Sequence, residues 1–244
     1  MKASGRPRIL IFVIAYRAET TLARVLDRIP SSLFESYECE VLVVDDASMD
    51  RTFVIGRTWQ AAHLEHRVTV LRNEYNQGHG GNQKVGYRYA IKEGFDYVAM
   101  VHGDGQYAPE ELPRLLKPLV RGEADVVLGS RMLDAGRARK GGMPLYKWLG
   151  NRVLTTMQNA LLGTRLSEFH SGYRIYRVAA LERLPKLSSL TRSSSKPRLR
   201  PTRISCWRRQ RQLAKNHKLD ASGRMLQFTT MQLPLLKPRS VSRT

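Results

Sequence analysis

The sequence predicts an α/β fold: a doubly wound, mostly parallel sheet with helices on both faces. Two observations support this prediction. Short apolar runs alternate with helix-like segments over about the first 182 of the 244 residues, and several of these runs end in carboxylates or glycines. Such alternation produces right-handed βαβ units whose parallel strands are buried on both sides.

The first half of the sheet is predicted from uninterrupted apolar runs, which a strand covered on both faces requires. These runs are residues 9–14, 41–44 and 68–71. A helix with Leu22, Val25, Leu26 and Ile29 on its buried face follows the first run and ends near Pro30. A second helix is predicted from about residue 51 to 63, before the third strand.

The second half continues the alternation. Residues 73–86 are predicted to be a glycine-rich loop that leads into a helix, and the fourth strand begins at Tyr97. A helix near residues 109–121 and a fifth strand at 125–129 follow, and another strand is expected after the turn at Arg174.

A later helix carries an apolar stripe, which we interpret as facing the core. Its members are Leu145, Trp148, Leu149, Val153, Met157 and Leu161. The alternative is an interfacial helix near a membrane, because Lys147 and Arg152 accompany the stripe.

Carboxylates follow two of the predicted strands. Asp45 and Asp46 end the second strand, and Asp104 lies between two glycines at the end of the fourth, with Gln106 beyond it. In an open α/β sheet, ligands bind outside the carboxyl ends of the strands. Oxygen ligands there suit Mg²⁺ or Mn²⁺, which can hold phosphate oxygens. The alternatives are an ordinary Asp-Gly turn at Asp104 and helix capping by Asp46 or Ser48.

A glycine cluster at residues 76–82 lets the backbone pass close to an anion at a helix start, although flexible loops look the same. We interpret His79 within it as a loop side chain rather than a catalytic base. Arg131 follows the fifth strand at the same predicted edge, and Arg174 is either a phosphate partner or an ordinary surface arginine.

The positive charge is concentrated at the end of the chain. Residues 183–244 hold 16 Lys and Arg and one acid, a net charge of +15, whereas the whole chain carries +20. The two cysteines, Cys39 and Cys206, have no metal-binding spacing and fit a reducing compartment. The first apolar run is too short to span a bilayer and lacks a cleavage site, so we predict a strand there rather than a signal peptide.

Several motifs occur together in a distinctive order. They are Ala15-Tyr16 with Glu19, Val43 to Asp50, Asn76 to Gly81, His102 to Gln106, Gly129-Ser130-Arg131 and Ser171 to Arg174. This set resembles a family 2 inverting glycosyltransferase of the GT-A fold, closest to the dolichyl-phosphate mannosyltransferase-like branch. The resemblance covers residues 8–182.

The resemblance implies transfer of a sugar from a GDP- or UDP-linked donor to a polyprenyl phosphate at the cytoplasmic side of a membrane. The implied donor-binding residues are Ala15, Tyr16, Glu19, Asp45, Asp46, Gly78, Gly81, His102 and Gly103. A divalent metal, Mg²⁺ or Mn²⁺, would be held by Asp104, Gln106 and His102. The implied catalytic residues are Asp104, Arg131 and Arg174, which stabilise the charge of the departing diphosphate.

Two positions depart from the family pattern. His102 stands where the family's Asp-x-Asp motif has its first carboxylate, and imidazole is a better ligand for Mn²⁺ than for Mg²⁺. Ile14 and Arg17 replace the usual proline and asparagine of the first loop.

Three other functions are compatible with the sequence. The first is transfer to a glycan hydroxyl, which would need a general base, and Asp134 or His170 are the candidates for it. A non-catalytic nucleotide-binding domain is the second alternative. The third is a basic protein that binds nucleic acid or an anionic surface through its tail, although nucleic acid is not the expected partner. We expect a cytoplasmic protein, and as a further expectation we add peripheral contact with the cytoplasmic face of a membrane.

The tail departs furthest from the family. Residues 183–244 combine low hydrophobicity with high charge, a composition that predicts little regular structure. We favour the hypothesis that the reading frame shifts near residue 182. The rival hypothesis is a functional basic tail that binds anionic lipid, supported by Trp207 beside Arg208 and Arg209.

Overall fold

The computed structural model describes residues 5–130, 145–162, 172–183 and 228–232. Seven strands form one sheet in the order β3-β2-β1-β4-β6-β5-β7. The strands are β1 (Arg8–Ala15), β2 (Glu38–Asp45), β3 (Arg67–Arg72), β4 (Tyr97–His102), β5 (Val126–Ser130), β6 (Arg174–Arg177) and β7 (Phe228–Gln232). Only β6 runs antiparallel to its neighbours, β4 and β5, so the sheet is mostly parallel.

Seven α-helices connect these strands in the described ranges. They are α1 (Leu22–Leu26), α2 (Ser31–Ser36), α3 (Thr52–Ala62), α4 (Gly78–Lys92), α5 (Leu112–Val120), α6 (Leu145–Leu162) and α7 (Val178–Glu182). A 3₁₀ turn at Pro109–Glu111 precedes α5. None of the described helices is long and apolar enough to cross a bilayer.

The sheet separates two apolar layers, because successive side chains of a strand point to opposite faces. On one face, Ile9, Ile11 and Val13 of β1 belong to a core with residues of α1, α2, α3 and α5. On the other face, Leu10 and Phe12 belong to a core with residues of α4 and α7. The predicted doubly wound α/β fold with helices on both faces is therefore confirmed.

The predicted start of α4, the helix before β4, is wrong. Residues 73–86 were expected to form a loop, but α4 begins at Gly78 and includes His79 and Gly81. Gly78 adopts a φ of +70°, which suits glycine at the entry to the helix. The three glycines within residues 78–81 have weak helix propensity, so the sequence did not indicate the helix that tertiary contacts stabilise here.

The core-facing interpretation of the apolar stripe on α6 is also wrong. Leu149, Val153, Met157 and Leu161 are each at least half exposed. The side chains of Leu145 and Trp148 lie outside the described set. Apolar periodicity locates the apolar side of a helix but does not show what covers that side.

One strand lies within the tail. Phe228–Gln232 pairs in parallel with β5, from Val126 opposite Phe228 to Ser130 opposite Gln232. This local order differs from the expectation of a tail without regular structure, and aromatic and β-branched residues favour a strand here. The rest of residues 184–244 lies outside the described ranges, so the domain boundary at 182 and the frameshift remain hypotheses.

Candidate functional site

Strand register brings the predicted strand ends together. Ala15 at the end of β1 lies opposite Asp45 of β2, and Ile14 lies opposite His102 of β4. The Asp46 N–H donates to the Ala15 carbonyl (2.9 Å), and the Gly103 N–H donates to the Ile14 carbonyl (2.8 Å). The segments that follow three central strands therefore open at one edge of the sheet.

A cleft of about 390 Å³ lies at this edge. Its lining residues are Ile14, Tyr16, Asp46, Asn76, Gly78, His79, His102 and Asp104. Five of these were predicted as site residues from the sequence: Tyr16, Asp46, Gly78, His102 and Asp104. The carboxyl edge of a parallel sheet is where ligands bind in such folds.

Asp46 fixes the loop that enters α4. Its Oδ1 accepts hydrogen bonds from the Asn73 side-chain amide (2.7 Å) and the Gln77 backbone N–H (2.9 Å). Its backbone carbonyl accepts a further bond from Asn76 Nδ2 (3.2 Å). Asp46 thus lines the cleft and also determines where α4 starts.

Asp45 has a different role from its neighbour. Its side chain is completely buried, and its Oδ1 accepts hydrogen bonds from the backbone and the hydroxyl of Ser48. Its Oδ2 lies 3.5 Å from Arg72 Nε. Asp45 is absent from the cleft lining and orders the loop behind it.

The capping prediction named the wrong residues. The second connecting helix, α3, begins at Thr52, which is later than capping by Asp46 or Ser48 requires. Asp50 Oδ1 accepts hydrogen bonds from the Thr52 N–H (3.0 Å) and hydroxyl (2.6 Å).

Glu19 connects two loops and does not line the cleft. Its Oε2 accepts a hydrogen bond from the Arg51 N–H (3.0 Å). Nearby, the Arg17 N–H donates to Ser48 Oγ (2.9 Å). These bonds hold the loop after β1 against the loop after β2, which leaves the Tyr16 ring 46% exposed at the cleft.

Asp104 is the exposed carboxylate of the site. Its side chain is 47% exposed, and its Oδ1 accepts a hydrogen bond from the Gln106 backbone N–H (3.0 Å). Its Oδ2 lies 4.0 Å from Nδ1 of His102. The predicted Asp-Gly turn is therefore present, and because it leaves Oδ2 facing the imidazole, it does not exclude the predicted ligand role of Asp104. Gln106 supplies its backbone to this turn.

Close packing fixes the imidazole of His102. Its ring centroid lies 4.9 Å from that of His79 and 5.4 Å from that of Tyr107. A Cβ atom at Gly172 would lie 2.6 Å from His102 Nε2, so only glycine fits beside the ring. The Gly172 N–H also donates to the Tyr107 hydroxyl (2.7 Å). With Nε2 against Gly172, Nδ1 is the ring atom on the side of Asp104.

Three of the cleft residues were not predicted as site residues, Ile14, Asn76 and His79, and the titratable one among them is His79. It lies on the first turn of α4 with its Nε2 2.7 Å from Gln83 Nε2. Partial burial and the Arg174 cation lower the pKa of His79, while Asp104 and Asp46 oppose that shift. The imidazole is therefore favoured in its neutral form beside the cleft. The i, i+4 spacing of His79 and Gln83 favours this side-chain contact only in a helix, and the sequence predicted a loop for this segment.

The remaining predicted residues lie around the site or outside the described ranges. Arg174 begins β6 opposite Met100 and is partly buried near His79. Gly81 lies within the first turns of α4. Arg131, and the candidate bases Asp134 and His170, lie outside the described residues.

The donor types at this edge are those that a divalent cation takes together with phosphate oxygens. Among the described residues, no group of three or more His, Cys, Asp or Glu is arranged to hold a metal ion. His102 Nδ1 and Asp104 Oδ2 are 4.0 Å apart, a gap that two bonds of about 2.1 Å to one ion can bridge, whereas ligands in neighbouring octahedral positions lie about 3 Å apart. Such a pair leaves coordination positions for diphosphate oxygens, and its imidazole favours Mn²⁺ over Mg²⁺.

A second cleft of about 420 Å³ lies at the opposite edge of the sheet, near Cys39 and Arg67. None of the predicted site residues lines it. The first cleft combines an exposed carboxylate with a neighbouring imidazole at the ends of parallel strands, and we therefore assign the candidate site there.

Comparison with known proteins gives a family match. A model described as glycosyl transferase family 2 matches residues 10–185. The chain is 32% identical over 179 residues to the undecaprenyl-phosphate mannosyltransferase of Micrococcus luteus, covering 71% of this chain and 68% of that protein. It is 29% identical to the polyprenol monophosphomannose synthase of Mycolicibacterium smegmatis, covering 75% and 67%.

Solved structures share the fold. A mannosyltransferase from Pyrobaculum calidifontis, in complex with GDP-Man and Mn²⁺, matches with a TM-score of 0.50 and 22% identity, over 75% of this chain and 48% of its own. Glucosyl-3-phosphoglycerate synthase from Mycobacterium tuberculosis, in complex with Mn²⁺, UDP and its product, matches with a TM-score of 0.55 and 19% identity, over 95% and 71%. This chain thus spans about half the length of the Pyrobaculum protein.

Proposed function

Because this chain belongs to glycosyl transferase family 2, we propose that it transfers a hexose from a nucleoside-diphosphate donor to a polyprenyl phosphate. The observation that carries the proposal is the pairing of His102 Nδ1 with Asp104 Oδ2 in a cleft at the carboxyl edge of the sheet. The Pyrobaculum structure of the same fold holds GDP-Man and Mn²⁺, which supports a nucleotide sugar as the ligand of this cleft. The names of the Micrococcus and Mycolicibacterium relatives support a polyprenyl carrier as the acceptor.

The donor would lie along the cleft from Asp46 to Asp104. Tyr16 offers an exposed aromatic ring beside Asp46, which suits a nucleobase and its hydrogen-bonding groups. Asp104 and His102 would hold the divalent cation, which when bound neutralises diphosphate charge. The Arg174 cation acts on the pKa of His79 and would add positive charge near the cleft.

The proposed reaction is a displacement at the anomeric carbon. An oxygen of the acceptor phosphate forms the new bond to that carbon, while the bond to the diphosphate oxygen breaks and its electron pair leaves with the nucleoside diphosphate. The attacking oxygen is already anionic, so no proton must be removed from it. Arg174, together with a cation that His102 and Asp104 would hold, would stabilise the charge that develops on the leaving group.

The need for a general base also distinguishes the proposed function from its alternatives. A glycan hydroxyl would need a general base, and the candidates Asp134 and His170 lie outside the described residues. The relatives' names do not favour a nucleic-acid binder. A polyprenyl phosphate implies contact with a membrane, so we propose a peripheral location at its cytoplasmic face.

Thermal melting tests the donor site. We expect GDP or UDP to raise the melting midpoint of the full chain when Mn²⁺ is present, because a ligand that binds only the folded state stabilises it. Asp104→Asn should abolish the metal-dependent part of this shift. Glu123→Gln, which changes an exposed carboxylate beyond the end of α5, is the matched control.

Transfer of labelled hexose from the nucleotide that binds into a polyprenyl phosphate completes the test. A wild-type chain that melts cooperatively but responds to neither nucleotide, with or without metal, would contradict the proposal. Nucleotide binding without formation of a lipid-linked product would exclude polyprenyl phosphate as the acceptor.

A further inference from the structure

His79 brings to the cleft a polar group that the proposed metal pair does not use. It lies on the first turn of α4 and lines the cleft together with Asp46 and Asp104. Its ring centroid is 4.9 Å from that of His102, so the two imidazoles are in contact. His79 therefore lies at the end of the cleft where the diphosphate of a nucleotide donor would meet the cation.

The contact between His79 and Gln83 determines which ring nitrogen carries the proton. The two Nε2 atoms are 2.7 Å apart, which is a hydrogen-bond distance. An amide nitrogen can only donate, so the Nε2 atom of the imidazole must accept. A neutral imidazole that accepts at one nitrogen carries its proton on the other. We therefore assign His79 the tautomer that is protonated at Nδ1.

This tautomer excludes one role for His79 and favours another. The Nε2 lone pair accepts from Gln83 and Nδ1 already holds a proton, so neither ring nitrogen is available as a general base. Among the described residues, the Nδ1–H group of His79 makes no hydrogen bond. A donor of this kind, beside a cleft that would hold a diphosphate, is available to a charged oxygen of that ligand.

The start of α4 favours an anion at the same place. The first N–H groups of a helix lack intrahelical acceptors and lie at the positive end of the helix dipole. Gly78 and Gly80 flank His79, and a Cβ atom at either glycine would meet nothing within 4 Å. A ligand can therefore approach the backbone on both sides of His79.

We propose that His79 donates a hydrogen bond from Nδ1 to an oxygen of the donor's diphosphate, and that Gln83 holds the imidazole in the tautomer that can do so. The proposal rests on the proposed function, because it takes the diphosphate to lie in this cleft. The proton stays on Nδ1 while the bond between the sugar and the diphosphate breaks. The hydrogen bond strengthens as the leaving group gains charge. His79 is then a catalytic residue, and Gln83 is a positioning residue that acts through it.

Two matched variants of the full chain test the position of the donor. In His79→Asn the side-chain amide nitrogen can occupy the place of Nδ1, whereas in His79→Gln it reaches the place of Nε2. We expect His79→Gln to lower both hexose transfer to polyprenyl phosphate and the affinity for the nucleoside diphosphate about 10- to 100-fold. His79→Asn should keep both within about threefold of wild type, because it keeps the donor.

Two further measurements locate the effect. Binding of the corresponding nucleoside, which lacks the diphosphate, should be equal in wild type and both variants. Their melting midpoints without ligand should also agree, because His79 is exposed. Calorimetric titration and thermal melting measure these properties.

The role of Gln83 has a spectroscopic signature. ¹⁵N NMR of histidine-labelled protein at about pH 8, where imidazoles are mostly neutral, distinguishes the two tautomers, and the spectrum of His79→Asn identifies the His79 signals. We expect wild-type His79 to be protonated at Nδ1. We expect Gln83→Leu to populate the tautomer protonated at Nε2 and to lower transfer. A wild-type ring protonated mainly at Nε2 would overturn the proposal.

The outcomes separate this proposal from the proposed function. A wild-type chain that binds no nucleotide would overturn both. If wild type binds and transfers and both His79 variants match it, the hydrogen bond is overturned and the proposed function stands. Equal losses in His79→Asn and His79→Gln would also overturn the hydrogen bond, because the ring would then act through its packing against His102.

Discussion

At the scale of single residues, His102 determines the character of the proposed metal site. Its Nδ1 faces Asp104 because Gly172 lies against Nε2. A cation held there meets one imidazole nitrogen and one carboxylate oxygen. Nitrogen ligands favour Mn²⁺ over the harder Mg²⁺, so the site should discriminate between two ions that an all-carboxylate site would treat more alike.

We predict that His102→Asp shifts this preference towards Mg²⁺. Calorimetric titration of the nucleotide in the presence of each ion should show a wild-type affinity at least about fivefold higher with Mn²⁺, and a smaller ratio in the variant. His79→Gln, which keeps His102 and Asp104, should leave the ratio unchanged. An identical ratio in wild type and His102→Asp would exclude His102 as a ligand.

Cys39 is a buried thiol that does not line the candidate cleft. It lies on β2 with its Sγ donating to the Leu33 carbonyl, and burial raises the pKa of its thiol to about 12. A thiol whose pKa is higher in the folded state stabilises the fold below its unfolded pKa of 9.0, and this contribution is lost as the pH rises towards 12.

We predict that Cys39 resists alkylation in the native protein. In a Cys206→Ser background at pH 8, the thiolate population should be about 10³-fold lower than in the unfolded chain, since the thiolate is the reactive form. Iodoacetamide labelling followed by mass spectrometry, with and without denaturant, measures the difference. Rapid native labelling would show that β2 opens readily at its amino end.

At the scale of elements, α4 packs directly on β1. A Cβ atom at Gly86 would lie 2.2 Å from the Phe12 ring, so the helix approaches the sheet as closely as glycine allows. The other end of α4 is fixed by Asp46, which accepts the Gln77 N–H. These two contacts hold His79 beside the cleft.

We predict that Gly86→Ala lowers the free energy of unfolding by about 1–3 kcal/mol, because the added methyl overpacks the interface with Phe12. Gly80→Ala is the control, since a Cβ atom there meets nothing within 4 Å and alanine favours a helix. Urea denaturation measures both. Equal midpoints for Gly86→Ala and wild type would mean that α4 can move away from the sheet at little cost.

The elements also show which features a sequence encodes locally. The apolar runs of β1 and β2 and the apolar spacing of α1 predicted those elements, since buried strands and amphipathic helices have short-range signatures. The start of α4 did not follow from its own residues, because Asp46 and Asn73 fix it through tertiary hydrogen bonds. Nor could the packing of Gly172 on His102 be predicted, because that contact joins residues 70 positions apart.

At the scale of the whole molecule, β7 protects the open edge of β5. Phe228–Gln232 pairs with all five residues of Val126–Ser130. An unpaired apolar edge strand is a template for association with other chains. The pairing therefore gives part of the basic tail a structural role within the sheet, whatever the origin of the rest.

We predict that a chain ending at residue 227 melts at a lower temperature and aggregates more readily than the full chain, because β5 becomes an edge strand. A chain ending at residue 232 retains β7 and is the control. Light scattering during thermal melting reports both properties. Indistinguishable behaviour of the two truncated chains would show that β7 contributes nothing to the sheet.

The position of β6 has a consequence for synthesis. β6 lies between β4 and β5, although residues 131–173 separate it from β5 in the chain. On the ribosome, β1 to β4 can pair as soon as they emerge, whereas β5 has no neighbour until residues 174–177 appear. During that delay Val126, Val127 and Leu128 remain without a partner strand, and an exposed apolar strand of a nascent chain is a chaperone substrate. The antiparallel strand thus makes completion of this sheet depend on a segment translated well after the strands that it joins.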